Sequence, residues 1–327
     1  MPTAEDYFNQ AFEKYNNQDN QGAIADYSQA IQLQPDHAEA YIGRGFARSE
    51  LDDVEGAIAD FNQAIQLQTD NPEAYSGRGY IRSTAGDIQG AIADYDQAIQ
   101  LEPDNEEIYN NRGLLRRELG DLQGAIADYD QAIQLQPNLA EAYYNRGVAR
   151  HDLGDLEGAI ADFHQTIQLQ PDHAEAYIGR GLARRNLGDL EGAIADYDQA
   201  IQLQPEDVGD AYNNRGLIRR DLGDLEGAMA DFDQSIQILP DLAVVYVNRG
   251  ITRSDLGDLQ GAIADFDQAL QLQPDLAEAY YSRAATRTKL GDNQKAIADY
   301  QKAAELYPQD NSWRQGALDE IQTLQQS

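Results

Sequence analysis

Cysteine is absent from this sequence, so no disulfide, thiolate nucleophile or cysteine-ligated zinc is available, which fits a cytoplasmic protein. Basic residues are scarce: 24 Lys and Arg stand against 57 Asp and Glu, leaving a net charge of −33. Nucleic acid and anionic membrane surfaces both require clustered cations to neutralise phosphate, and so acidic a chain is expected to bind neither. Long apolar runs are missing as well, none approaching the ~18 residues of a membrane-spanning helix. At the amino terminus, Met1-Pro2-Thr3-Ala4-Glu5-Asp6 carries acid where a signal peptide needs positive charge and then an apolar run, so no targeting segment is expected. The four histidines, His37, His151, His164 and His173, lack metal-ligand spacing. There is no phosphate-binding Gly-rich motif, and no Ser or Thr stands in a recognisable nucleophile setting. The expectation is a protein that is not an enzyme, with no catalytic residue, no metal and no cofactor.

What is present is repetition. Prolines fall at Pro35, Pro103, Pro137, Pro171, Pro205, Pro240, Pro274 and Pro308, at intervals of 68, 34, 34, 34, 35, 34 and 34, with Thr69 in the one skipped slot. A tyrosine stands in register in every unit, at Tyr7, Tyr41, Tyr75, Tyr109, Tyr143, Tyr177, Tyr212, Tyr246 and Tyr280. Twenty residues after each comes a second aromatic, from Tyr27 and Phe61 through to Tyr300. Nine units result, at approximately 4–37, 38–71, 72–105, 106–139, 140–173, 174–207, 208–242, 243–276 and 277–310, followed by a tail at 311–327.

Each unit reads as two antiparallel helices. The first follows the proline, and an Asp three residues before a Glu (Asp36 to Glu39, Asp172 to Glu175) suggests a capping-box variant. It stops at a signal such as Leu153-Gly154-Asp155, where Gly takes the left-handed conformation and Asp caps the next helix. In the second helix, Ala23, Tyr27 and Ala30 and their copies put small, large and small side chains on one face. Gly45, Gly79, Gly113 and their copies suit close helix approach, despite costing about 1 kcal/mol each in helix propensity. Trp313, Ala317, Leu318, Ile321 and Leu324 form an amphipathic stripe that suits the tail to be a capping helix.

A 34-residue helix–turn–helix unit with Gly four after the first aromatic, an Ala-x-x-x-aromatic-x-x-Ala second helix and a closing Pro resembles the tetratricopeptide repeat. The run Asp-Tyr-Asp-Gln-Ala-Ile-Gln-Leu-Gln-Pro is similar to that of cyanobacterial members. The resemblance covers residues 4–310. It implies one all-α, right-handed superhelical solenoid of nine repeats with a C-terminal capping helix, first helices lining a concave groove that receives an extended peptide of another protein. A monomer is expected; the alternative is a self-associating solenoid whose groove takes another copy's terminal helix.

Arginine departs from the family pattern. It stands three and seven residues after the tyrosine in every unit but the first, as Arg44 and Arg48 or Arg146 and Arg150, while the second helices carry an acid just before their aromatic, as Asp60 or Asp162. Two readings are open: each Arg lies over an aromatic face and pairs with a neighbouring Asp, or the arginines line a groove for acidic or phosphorylated segments.

One, five and eight residues after the tyrosine, a separate stripe of the first helix holds Phe8, Phe12, Ile42, Phe46, Tyr80, Leu114, Tyr144, Val148, Ile178, Leu182, Leu217, Val247, Ile251 and Tyr281. Exposed apolar residues in line mark an interaction surface, unless neighbouring helices cover them. Arg117, Arg185 and Arg220 add positive charge beside it. Two after the tyrosine, Asn9, Asn111, Asn145, Asn214 and Asn248 offer carboxamides with donor and acceptor together. The resemblance implies that such asparagines bond the backbone of an extended peptide; the alternative is a bond to the adjacent repeat. Gly43, Gly77, Gly179 and Ser282 interrupt the ladder, which places the expected site over units four to eight. The interval after Pro205, with Glu206-Asp207-Val208-Gly209-Asp210, is one residue longer and is expected to form a looser joint.

Overall fold

In a computed structural model that describes residues 1–326, the chain forms nineteen α-helices and, among the described residues, no strand. It divides into two compact units, Met1–Leu169 and Gln170–Ser327. The first holds α1 (Ala4–Asn16), α2 (Asn20–Leu33), α3 (Ala38–Ser49), α4 (Val54–Leu67) and α5 (Pro72–Thr84). It continues with α6 (Ile88–Leu101), α7 (Glu106–Glu118), α8 (Leu122–Leu135), α9 (Ala140–Leu153) and α10 (Leu156–Leu169). The second holds α11 (Ala174–Asn186), α12 (Leu190–Leu203), α13 (Gly209–Asp221), α14 (Leu225–Ile238) and α15 (Ala243–Asp255). After them come α16 (Leu259–Leu272), α17 (Ala277–Lys289), α18 (Asn293–Leu306) and α19 (Ser312–Gln326). Within each unit consecutive helices pack against one another, so odd and even helices alternate as the two halves of successive repeats.

The turn inside each repeat is set by two residue types. Gly86, Gly120, Gly154, Gly188, Gly223, Gly257 and Gly291 have φ between +78° and +88°, the left-handed region in which a Cβ is penalised. The Asp after the glycine then caps the even helix: Asp121 Oδ1 accepts from the Gly124 amide at 3.0 Å, and Asp258 Oδ1 from Gly261 at 2.9 Å. In the last repeat Lys295 replaces that third-position glycine, and Asp292 pairs with its Nζ at 2.7 Å instead of capping α18. The first two repeats lack the left-handed glycine: Gln18 and Asp52 take its place at φ 62° and 59°. Gln18→Gly and Asp52→Gly should therefore each raise stability by ~0.5–1 kcal/mol, read as a higher denaturant midpoint at unchanged slope.

The odd helices start differently from expectation. Asp36 and Asp172 do not cap; they lie in the turn, and the flanking residues are His37, which makes no side-chain cap bond, and His173, whose Nδ1 accepts from the Ala176 amide at 3.3 Å. The helix begins one residue later than the Asp-to-Glu spacing requires. A reciprocal capping box occurs at Thr3 and Asp6, on α1.

Packing within a pair rests on the small–large–small face. Ala125, Tyr129 and Ala132 of α8 are each 0% exposed, as are Ala262, Phe266 and Ala269 of α16. Burying one such ring is worth roughly 1.5–3 kcal/mol. In the middle repeats the ring lies close against the glycine opposite: a Cβ on Gly113 would lie 2.7 Å from Tyr129 Cε1, and one on Gly250 2.7 Å from Phe266 Cε1, while Ala11 and Ala284 hold that position in the first and last repeats. The tail closes the second unit as α19, with Ala317 and Ile321 buried and Leu318 and Leu324 packed beside them. Trp313 departs from the expected stripe: it is 55% exposed and meets Tyr281 edge-on, 5.1 Å between centroids. The extra residue after Pro205 widens the turn before α13 to five residues, yet Val208 there is buried against α12 and α13.

Candidate functional site

The odd-helix arginines three and seven residues after the tyrosine are spent internally. Arg112 of α7 gives Nε and Nη2 to Asp128 at 2.9 and 2.5 Å, and Nη1 to Asp96 of the preceding repeat at 2.5 Å. Its guanidinium also lies over the Tyr109 ring, 5.5 Å from the centroid. Arg116, one turn on, donates to the same Asp128 at 2.9 Å. The arrangement recurs at Arg78 with Asp94, Arg146 with Asp162, Arg215 with Asp231, Arg249 with Asp265 and Arg283 with Asp299. Desolvation works against the Arg112 charge, but hydrogen bonding to Asp128, and then to Asp96, outweighs it and holds the guanidinium above its ordinary pKa. Of the two readings of the ladder, the geometry selects the internal one: with every nitrogen of Arg112 donating to a carboxylate, no fork is left for an incoming phosphate or acid.

The asparagines divide. Asn145, 7% exposed, gives Nδ2 to Asn110 Oδ1 of the preceding repeat at 3.0 Å, and Asn110 in turn donates to Glu141 at 3.2 Å. Asn248, also 7% exposed, donates to Asn213 at 2.9 Å. Both are engaged with the adjacent repeat. Asn111 and Asn214 are half-buried on the same face. Tyr144 is half-buried and tilted against Phe163, and Val148, Ile178 and Leu182 are likewise half-buried. Arg117 and Arg185 lie near Tyr129 and Tyr197, close enough to oppose the rise that burial imposes on those phenols' pKa values. Arg220 Nη2 lies 3.5 Å from Asp221.

Two cavities open elsewhere on the odd-helix face, and none of these eleven residues lines either one. In the first unit a cavity of about 410 Å³ is walled by Phe8, Phe12 and Tyr15 of α1, Ile42, Gly43 and Phe46 of α3, with Tyr27, Glu39 and Glu73. In the second unit a cavity of about 530 Å³ lies among α15, α17 and α19, lined by Ile251, Phe266, Tyr281, Tyr307 and Trp313 with Ser254, Asp255, Glu278 and Lys289 among its polar groups. There Lys289 Nζ donates to Ser254 Oγ at 3.0 Å, and burial, then the charge of Glu278, pushes the Tyr307 phenol up to about 12. Phe8, Phe12, Ile42, Phe46, Ile251 and Tyr281 belong to the apolar stripe read from the sequence; the acids and Trp313 do not. Glu39, Glu73 and Glu278 each stand two residues before their repeat's tyrosine, where they read as helix-start acids. Only the convergence of several helices makes them cavity walls.

Among the described residues no group of three or more His, Asp or Glu could hold a metal, and no helix is long and apolar enough to cross a membrane. Helix pairs stacked in register, with an apolar odd-helix face carrying pockets, define a helical-repeat protein of the interaction class. Tetratricopeptide-repeat profiles match residues 15–78, 84–154, 144–208, 209–241 and 253–310, and the chain belongs to the tetratricopeptide repeat family. No curated protein matches it.

Solved structures share the fold. A tetratricopeptide repeat protein from Parabacteroides merdae is 21% identical over 78% of this chain and 98% of its own, with a TM-score of 0.59. The Cut9–Hcn1 hetero-tetramer of APC/C aligns over 98% of this chain and 76% of its own at 14% identity and a TM-score of 0.62. YrrB, described as a TPR protein with an unusual peptide-binding site, is 24% identical over 55% of this chain and 93% of its own, with a TM-score of 0.51.

Proposed function

We propose that the chain is a scaffold or adaptor that takes an extended segment of a partner protein along its odd-helix faces. The observation that carries this reading is the apolar stripe itself. Phe12 and Tyr80 are 53% and 52% exposed, and Phe8, Phe46, Leu114, Tyr144 and Val148 are half-buried on the same stripe of the first unit. Ile178, Leu182, Leu217, Ile251 and Tyr281 repeat the pattern in the second. Solubility does not call for aromatic side chains in that register, and contiguous apolar surface with pockets is what peptide recognition uses. Asn111, Asn214, Arg117, Arg185 and Arg220 border the stripe and are the proposed polar contacts. Asn145 and Asn248 would join only by giving up their bonds to the preceding repeat, at about 0.5–1.5 kcal/mol each.

Panning a random peptide display library against the full chain, then photocrosslinking from the enriched peptides, tests the reading. Crosslinks should land on Phe12, Tyr80, Tyr144 or Ile178. Crosslinks confined to the solvent faces of the even helices, or no enrichment at all, would overturn it. Phe12→Asp with Tyr80→Asp should weaken a first-unit binder at least tenfold without lowering the melting temperature, since both side chains are more than half exposed.

A further inference from the structure

Resting on that reading, we propose that the first-unit cavity is a socket for a cationic side chain, lysine or arginine, of the bound segment. Its walls are aromatic: Phe8, Phe12, Tyr15 and Phe46 surround it, and Tyr27, 1% exposed, lies beneath. Aromatic faces attract a cation placed over them by ~0.5–2 kcal/mol, the more so where water is excluded. Two carboxylates, Glu39 and Glu73, complete the lining, and no basic residue belongs to it. The two bases of the first repeat are already engaged: Lys14 Nζ lies 2.5 Å from Asp26, and His37, stacked on Phe8, has Nδ1 3.2 Å from Glu39 Oε2.

Glu39 faces the His37 imidazole, and among the described residues no ion pair engages Glu73. The Glu73 pKa is raised, first by desolvation and then by the like charges of Glu102 and Glu39. Glu50 acts on Tyr15 in the same sense, behind burial. An entering ammonium or guanidinium would meet the two carboxylates, with the aliphatic part of its chain against the rings. The second-unit cavity differs, because Lys289 stands in its wall and supplies a cation from within.

The shape is set by Gly43. It occupies the register position held by Asn111 and Asn145 in later repeats, and a Cβ there would lie 2.4 Å from Tyr27 Cζ. Asparagine cannot occupy that position without displacing the ring. The ladder's interruption in the second repeat is therefore what leaves room for the socket. At about 410 Å³ the cavity falls within the ~300–1,000 Å³ of small-molecule sites.

The test is titration of the full chain with acetylated, amidated tripeptides Gly-X-Gly, X being lysine, arginine, norleucine or glutamate, followed by the Ile42 methyl resonance. Lysine and arginine peptides should bind roughly tenfold more tightly than norleucine, weaken with added salt, and leave glutamate without effect. Glu39→Gln with Glu73→Gln should abolish the preference while melting temperature stays unchanged. Gly43→Asn should block the lysine, arginine and norleucine peptides at this site. Equal affinity for norleucine and lysine, or a lysine preference that survives the double Gln variant, overturns the socket and leaves the partner-segment reading standing. That reading falls instead if crosslinks miss the odd-helix stripe.

Discussion

Replacing Asp128 by alanine should destabilise the first unit by ~3–5 kcal/mol, as should the same change at Asp94 or Asp162. The carboxylate is 3% exposed and accepts three hydrogen bonds, two from Arg112 and one from Arg116. Removing it leaves two guanidinium groups facing a cavity, with only the outer Asp96 to answer them. Desolvation is then uncompensated, which is why breaking a buried pair costs far more than the pair contributes relative to an apolar replacement. Asp96→Ala is the control. Its side chain is 44% exposed, and its loss should cost no more than ~1 kcal/mol. Urea unfolding of both variants decides the matter: near-equal losses would mean that Asp128 contributes no more than a surface acid. Added salt should reduce the Asp96 contribution and leave most of the Asp128 contribution in place.

Alkaline pH should produce the second large effect, confined to particular repeats. Tyr27, Tyr95 and Tyr300 are 1–2% exposed, and burial, ahead of every other cause, pushes each phenol up to about 12. Tyr129 and Tyr197 are raised in the same direction, again by burial first. A folded-state pKa above the unfolded value near ~10 means that the folded chain holds its proton more tightly. The associated stability is therefore complete below pH ~10 and is lost as pH rises towards ~12, on the order of 2–3 kcal/mol per tyrosine. Phe61, Phe163, Phe232 and Phe266 occupy the same position in the other repeats and do not titrate. Because repeat arrays yield locally, hydrogen exchange at pH 10–11 should quicken around α2, α6, α8, α12 and α18 before α4, α10, α14 and α16. Tyr95→Phe should restore protection to α6. Uniform loss across all repeats would show that the tyrosines are not the cause.

Much of this was legible from residue order, for definite reasons. The 34-residue period is written in the proline, tyrosine and glycine positions because each serves a local demand: a turn, a ring over a guanidinium, a left-handed φ or a close approach. The arginine pairing was readable as one of two alternatives, since fixed offsets between Arg112, Arg116 and Asp128 recur in repeat after repeat. At Asp36 and Asp172 the Asp-to-Glu spacing points one residue too early, because the turn hands the flanking position to His37 and His173. Periodicity puts Trp313 on the apolar stripe of α19, but its ring is largely exposed and meets Tyr281 edge-on. The partners of Asn145 and Asn248 could not be chosen from one sequence, because a carboxamide serves a peptide and a neighbour equally well. The cavities were illegible for a related reason: Glu39 and Glu73 open different helices, and only packing sets them around one space.

The Arg112 link to Asp96 has a direction. Five repeats extend a guanidinium backward to a carboxylate of the repeat before, at Arg112 with Asp96, Arg146 with Asp130, Arg215 with Asp198, Arg249 with Asp233 and Arg283 with Asp267. Repeats jointed this way can be gained or lost, and a seam between two of them still finds its opposite charge waiting, because plug and receptacle travel in the same cassette. The identical run Gln-Pro-Asp-His-Ala-Glu-Ala-Tyr-Ile-Gly-Arg-Gly at residues 34–45 and 170–181 is the imprint of such copying. The first two repeats, where Arg44 and Arg78 reach back to Ser28 and Asn62, have a neutral receptacle instead of an acid. Length in this architecture is thus a heritable variable that selection can adjust in steps of 34 residues, without redesigning any joint.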